Sequence, residues 1–149
     1  MAIALIAGGL LIGGQAMGVF DRLVIFSPVQ GVVLDRGAPV AGAEVLQKAT
    51  WSDGPDGSAA AHTVTGADGR FVFPAMEKPA GLARLLPHSP MILQLITIRH
   101  GGREYVAWKH GKGNYEIDSE AGGKPLNLRC DLANRPEFAG QHYGICRVD

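Results

Sequence analysis

At 149 residues the chain is the size of one domain, long enough to bury a core without help from metals. Its 14 Lys and Arg are balanced by 14 Asp and Glu, and the basic residues are scattered singly, which excludes the electrostatic footprint of a nucleic-acid-binding surface. Twenty-one glycines and nine prolines set among short Val, Ile and Phe runs give many turns between short strands, the composition of an all-β sandwich or barrel.

The first 20 residues, MAIALIAGGLLIGGQAMGVF, carry no charged side chain, and charges recur from Asp21 onward. Residues 1–20 therefore read as a hydrophobic N-terminal segment and residues 21–149 as a single domain. The apolar stretch with Ala16-Met17-Gly18 fits a signal peptide, although its only basic group is the terminal amine. Residues 2–20 are also roughly long enough to tether the chain as a membrane anchor, with four glycines between 8 and 14 working against a helix. The third reading is a buried first element of a cytoplasmic domain.

From Gly31 the pattern is that of strands and turns. GVVLDRGAPVAGAEVLQ (31–47) reads as a strand through Val32, Val33 and Leu34, a polar turn at Asp35, Arg36 and Gly37, and a second strand from Ala43 to Gln47. Asp68-Gly69 between AHTVT and RFVF is a hairpin signal, with Phe71 and Phe73 on one face at period two and directed to the core. Pro87 and Pro90 limit a helical turn at Leu82–Leu86. MILQLITIR (91–99), alternating imperfectly, and EYVAW (104–108) form a second hairpin across residues 100–103, and Lys109 to Lys124 read as a long surface loop.

The spacing Gly31, Val33, Gly37, Pro39, Val40, Gly42, Ala43, Val45, then Thr65, Asp68, Gly69, Phe71, Phe73 and Pro74 resembles the carboxypeptidase regulatory-like domain, a transthyretin-like β-sandwich. The runs FSPVQGVVLD, LLPHSP, EYVAWK, KPLNLRCDL and YGICRV are similar to a family of uncharacterised proteobacterial proteins built on that domain. The resemblance implies the sandwich fold and an accessory role in binding or folding support. The polar interval WSDGPDGSAAAH (51–62) departs from it as an insertion.

Cys130 and Cys146 bracket a turn-rich loop whose spacing fits neither a CxxC redox pair nor a zinc knuckle. A disulfide there would remove about 3 kcal/mol of unfolded-chain freedom. It agrees with export to the periplasm, either free or anchored in the inner membrane and facing it. Two reduced, buried thiols in the cytoplasm are the alternative.

Sites of chemistry are sparse. His62, His88, His100, His110 and His142 form no HxxxH or HExxH pair. DGPDG (53–57) with Asp68 has the composition of a calcium loop without its spacing. There is no GxSxG elbow and no phosphate loop. Asp131 and Glu137 pair only in imagination, as solvated loop charges. The expectation is a module with no catalytic residues, metal or cofactor, gripping a protein partner through Trp51, Trp108 and Tyr115 in or near polar loops. One form would be an immunity-type protein against a secreted toxin. The alternatives are an accessory subunit of a neighbouring enzyme, or a transthyretin-like hydrolase of a small ring. That hydrolase resemblance would require a Tyr-Arg-Gly-Ser ending, and here Tyr143-Gly144-Ile145-Cys146-Arg147 stands instead.

Overall fold

A computed structural model of the protein describes residues 22–51, 57–80 and 90–149. The expectations for residues 2–20, for most of the DGPDG stretch, for Leu82–Leu86 and for His88 lie outside the described residues. Within them the strands run β1 (Arg22–Phe26), β2 (Val29–Asp35), β3 (Ala38–Pro39), β4 (Glu44–Thr50), β5 (Ser58–Val64), β6 (Arg70–Phe73) and β7 (Met76–Pro79). The second half supplies β8 (Ile92–His100), β9 (Arg103–Lys112), a 3-10 turn (Ser119–Ala121), β10 (Leu126–Asp131), β11 (Glu137–Ala139), β12 (His142–Gly144) and β13 (Cys146–Val148). The fold is an all-β sandwich.

One sheet has the order β11-β12-β9-β8-β4-β5, the opposing sheet runs β13-β10-β2-β3 with β6 also on β2, and β1 pairs with β7 as a separate ribbon. Val29, Val33, Phe71, Leu126 and Leu128 of the five-stranded sheet join Val45, Ala49, Ile92, Ile96 and Ile98 of the six-stranded sheet in one buried cluster. Their period-two spacing is what puts them all on inner faces. Phe71 and Phe73 are buried, as their alternation predicts. Gly31 stands opposite Phe71 in the β2–β6 register, and a Cβ there would come within 2.3 Å of the ring. The glycine in this strand makes room for an aromatic side chain.

The hairpin expected across Asp68-Gly69 is not formed. The turn is there, with the Gly69 N–H donating to the Gly66 carbonyl at 2.9 Å. But β5 pairs with β4 in one sheet and β6 with β2 in the other. Local turn chemistry specifies a reversal and not which sheet each arm joins. Here Val29 and Gly31 offered β6 an inner-face partner row. The second hairpin, β8 with β9, forms as read, turning through Gly101 and Gly102 at positive φ. The polar interval after Trp51 also differs from expectation, since its residues from Ser58 onward belong to the edge strand β5.

The segment read as a surface loop does not all lie on the surface. Strand β9 continues to Lys112, and the following loop turns Glu120 inward, so that the two side chains are 1% and 0% exposed with Lys112 Nζ 3.2 Å from Glu120 Oε1. Every group in this pair is satisfied. Glu120 accepts from the Ser27 hydroxyl at 2.7 Å, the Ser27 N–H at 2.9 Å and Gln94 Nε2 at 3.0 Å. Lys112 Nζ also donates to the Glu116 carbonyl and to Ser119 Oγ. Burial alone pushes the Glu120 carboxyl up, but the Ser27 hydroxyl and N–H, Gln94 and the Lys112 ammonium together hold it below its ordinary value.

Cys130 and Cys146 form a disulfide, facing each other directly in the β10–β13 register. Asp131 and Glu137 are not a carboxylate pair. Asp131 accepts from the N–H groups of Arg36, Gly37 and Ala133 at 3.0, 3.0 and 2.9 Å, tying the β2–β3 turn to β10. Glu137 binds Arg147 at 2.9 Å.

Removing one charge of the Lys112–Glu120 pair strands the other in the interior. Glu120→Gln and Lys112→Met should each cost about 3 kcal/mol or more, and the double substitution Lys112→Met with Glu120→Leu clearly less than their sum. Urea titration of the four proteins measures this. Gln47 gives a change of opposite sign: both its amide atoms are buried without a hydrogen-bond partner among the described residues. Gln47→Leu should therefore stabilise by about 1 kcal/mol. A third expectation concerns pH. Burial, chiefly, holds His142 below its ordinary pKa. The unfolded chain then binds the extra proton, so stability is complete above about pH 6.5 and declines as pH falls through the folded value. Thermal melts between pH 8 and pH 5 should show this limb, and His142→Phe should flatten it.

Candidate functional site

The bulge in β9 decides which face each of its side chains occupies. Ile96 pairs with Trp108 and Thr97 with Val106, so Ala107 is the extra residue and both Ala107 and Trp108 point inward. Two residues opposite one is how a bulge re-aims a strand. The backbone of β12 closes against it, since a Cβ on Gly144 would lie 2.2 Å from the Ala107 carbonyl oxygen. Trp108 is fully buried, donates from Nε1 to Gln94 Oε1 at 3.2 Å and stacks on His142 with ring centroids 4.2 Å apart. It is a core residue, which corrects its expected role as a loop anchor.

Trp51 and Tyr115 do come together. Both are half-buried at one end of the core, and the Lys78 ammonium lies 5.3 Å from the Trp51 ring centroid and 5.4 Å from that of Tyr115. The two rings hold a cation from their own chain, a contact of about 0.5–2 kcal/mol. Trp108 is not part of this group.

Past the bulge, Lys109 and Gly111 face outward with Leu93 and Leu95 of β8. Strand register then builds a row across all six strands: Ala60, Lys48, Leu95, Lys109, Tyr143 and Phe138. An open groove of about 600 Å³ follows this row from Lys48 to Phe138 and takes in Thr50, Leu93, His110 and Gln141. Leu93 is 57% exposed and Phe138 78%. The Phe138 ring meets Tyr143 edge-on at 5.2 Å. His110 donates from Nδ1 to the Gln141 carbonyl at 2.9 Å, which holds the turn between β11 and β12 beside the groove.

The charges in the groove are of one sign. Among the described residues no carboxylate lines it, and neither Lys48 nor Lys109 has an ion-pair partner. Elsewhere on the surface Arg22, Arg70, Arg99 and Arg147 each face an acid. The arrangement presents an apolar floor, two aromatic walls and two cations without an ion-pair partner among the described residues, all carried on a sheet. Among the described residues that line the groove, no nucleophile stands beside a base. Among the described residues no three His, Cys, Asp or Glu side chains gather as a metal site would require.

None of these groove residues stood out in the sequence as a site. A signal was present in MILQLITIR, where Leu93 and Leu95 occupy the alternate positions that an ordinary half-buried strand gives to polar side chains. Phe138 and Tyr143 had no such signal, because their place beside Lys109 depends on β12 docking onto β9.

No curated protein and no solved structure matches the chain. A family model matches residues 29–135, which include Lys48, Leu93, Leu95, Lys109 and His110 and stop short of Phe138 and Tyr143. The chain belongs to this family, described as a domain of unknown function (DUF6795).

Proposed function

We propose that this protein is a non-catalytic binding module of the bacterial envelope that recognises a protein partner on the outer face of its six-stranded sheet. The observation that carries the reading is the outward-facing apolar group of exposed Leu93 and Phe138 with half-exposed Leu95 and Tyr143. Contiguous exposed apolar surface rimmed by polar groups is where soluble domains bind other proteins, and aromatic side chains are the usual anchors of such contacts. The buried disulfide agrees with an oxidising compartment. The resemblance to carboxypeptidase regulatory-like accessory domains supports a binding role over chemistry. An immunity-type protein that blocks a secreted toxin is one form such a module takes.

Affinity capture with the full-length chain from its own envelope extract tests the reading. One stoichiometric protein should be recovered, and its recovery should fall about tenfold or more with Phe138→Ala and with Leu95→Ser. Both variants should melt within a few degrees of the parent, since they alter an exposed and a half-exposed position. Undiminished recovery with both, or turnover of a small molecule by the purified chain, overturns the proposal.

A further inference from the structure

The groove's charge and its length together limit what would fit it. The row from β4 to β11 crosses five strands, and at the normal strand spacing that is about 19 Å. An extended peptide covers this with about six residues, whereas a compact small molecule would leave much of the row open. Lys48 and Lys109 flank Leu95 directly, one on each neighbouring strand, which places their backbones about 10 Å apart. Among the described residues no carboxylate lines the groove and neither ammonium has an ion-pair partner, on a chain whose net charge is zero.

We propose that the groove binds an extended acidic segment of a partner protein, in which an apolar side chain seats on Leu95 and acidic side chains two residues before and two after it reach Lys48 and Lys109. The inference rests on the reading of the groove as a protein-binding surface. In an extended chain, positions i, i+2 and i+4 share one face. The separation of the two acids, about 13 Å, lies within the reach of two flexible lysines. Phe138 and Tyr143 cover the far end of the segment, shielding the second ion pair from water and strengthening it.

The test uses the full-length 15N-labelled chain and three peptides: Gly-Glu-Thr-Leu-Thr-Glu-Gly, the same peptide with Gln in place of both Glu, and the same with Lys in place of both. Free glutamate is the fourth ligand. The acidic peptide should shift the amide resonances of Leu95, Lys109 and Tyr143. It should bind about fivefold or more tightly than the Gln peptide, the difference shrinking at high salt. The Lys peptide should not bind. Lys48→Gln with Lys109→Gln should abolish the difference between the acidic and Gln peptides, and both positions are exposed, so the fold should persist. Equal binding of the acidic and Gln peptides, or shifts confined to other faces, overturns the acidic pattern. Shifts by free glutamate at the same concentration as the peptide overturn the need for a polypeptide. If none of the peptides binds while partner capture still depends on Phe138, the acidic segment is overturned and the protein-binding groove stands.

Discussion

The buried pair of Lys112 and Glu120 is the constraint around which one end of the sandwich is organised. Two opposite charges removed from water are tolerated only when their remaining hydrogen-bonding capacity is met. That requirement draws in Ser27 from the β1–β2 connection, Gln94 from near the start of β8, and Asn114, Glu116 and Ser119 from the loop after β9. Gln94 in turn accepts from the Trp108 indole, so the tryptophan's inward position and the charge pair belong to one network. A loop with little apolar side-chain content thereby acquires a fixed path. The resulting network joins the six-stranded sheet to the β1–β2 connection through polar contacts in a way that apolar packing, which has no directional preference, would not specify.

The opposite end and the C-terminal strands are held differently. Asp131 gathers three backbone N–H groups, two of them from the β2–β3 turn. One residue earlier, Cys130 is bonded to Cys146, so strand β13 is tied to β10 covalently as well as by its ladder. His142 donates from Nε2 to the Cys146 carbonyl at 2.7 Å and stacks on Trp108, which binds β12 to the disulfide on one side and to β9 on the other. The short strands β11 and β12 are held to β9 through the pair Tyr143 and Lys109, the close approach of Gly144 to Ala107, and the Ile145 N–H donating to the Val106 carbonyl at 3.0 Å.

This support bears directly on the binding role proposed for the outer face. Binding groups act best when the scaffold already holds them in place, because less conformational entropy is then lost on association. Lys48, Leu95 and Lys109 lie in the middle of paired strands, and Tyr143 and Phe138 are placed by a hairpin whose inner side is anchored in the core. The Lys78 ammonium between Trp51 and Tyr115 contrasts with it, since there the aromatic groups are engaged by a cation of the same chain.

Much of the architecture was legible in the order of residues because it rests on local rules. Alternation places Phe71 and Phe73 on the core face, the Gly101-Gly102 turn joins β8 to β9, and two cysteines in a turn-rich loop pair with each other. These outcomes follow from strand periodicity, positive φ at glycine and short chain separation. What the local pattern left open was decided by contacts between residues far apart in the chain. Arms of the Asp68-Gly69 turn went to different sheets because each found its partner row elsewhere. Trp108 turned inward because a bulge shifted the alternation and Gln94 was there to accept its N–H. Glu120 entered the interior because Lys112, Ser27 and Gln94 met it there. The groove is the extreme case: Lys48, Leu95, Lys109, Tyr143 and Phe138 are spread from residue 48 to residue 143 and become neighbours only through strand register, a property of the assembled sheet that no single stretch of sequence carries.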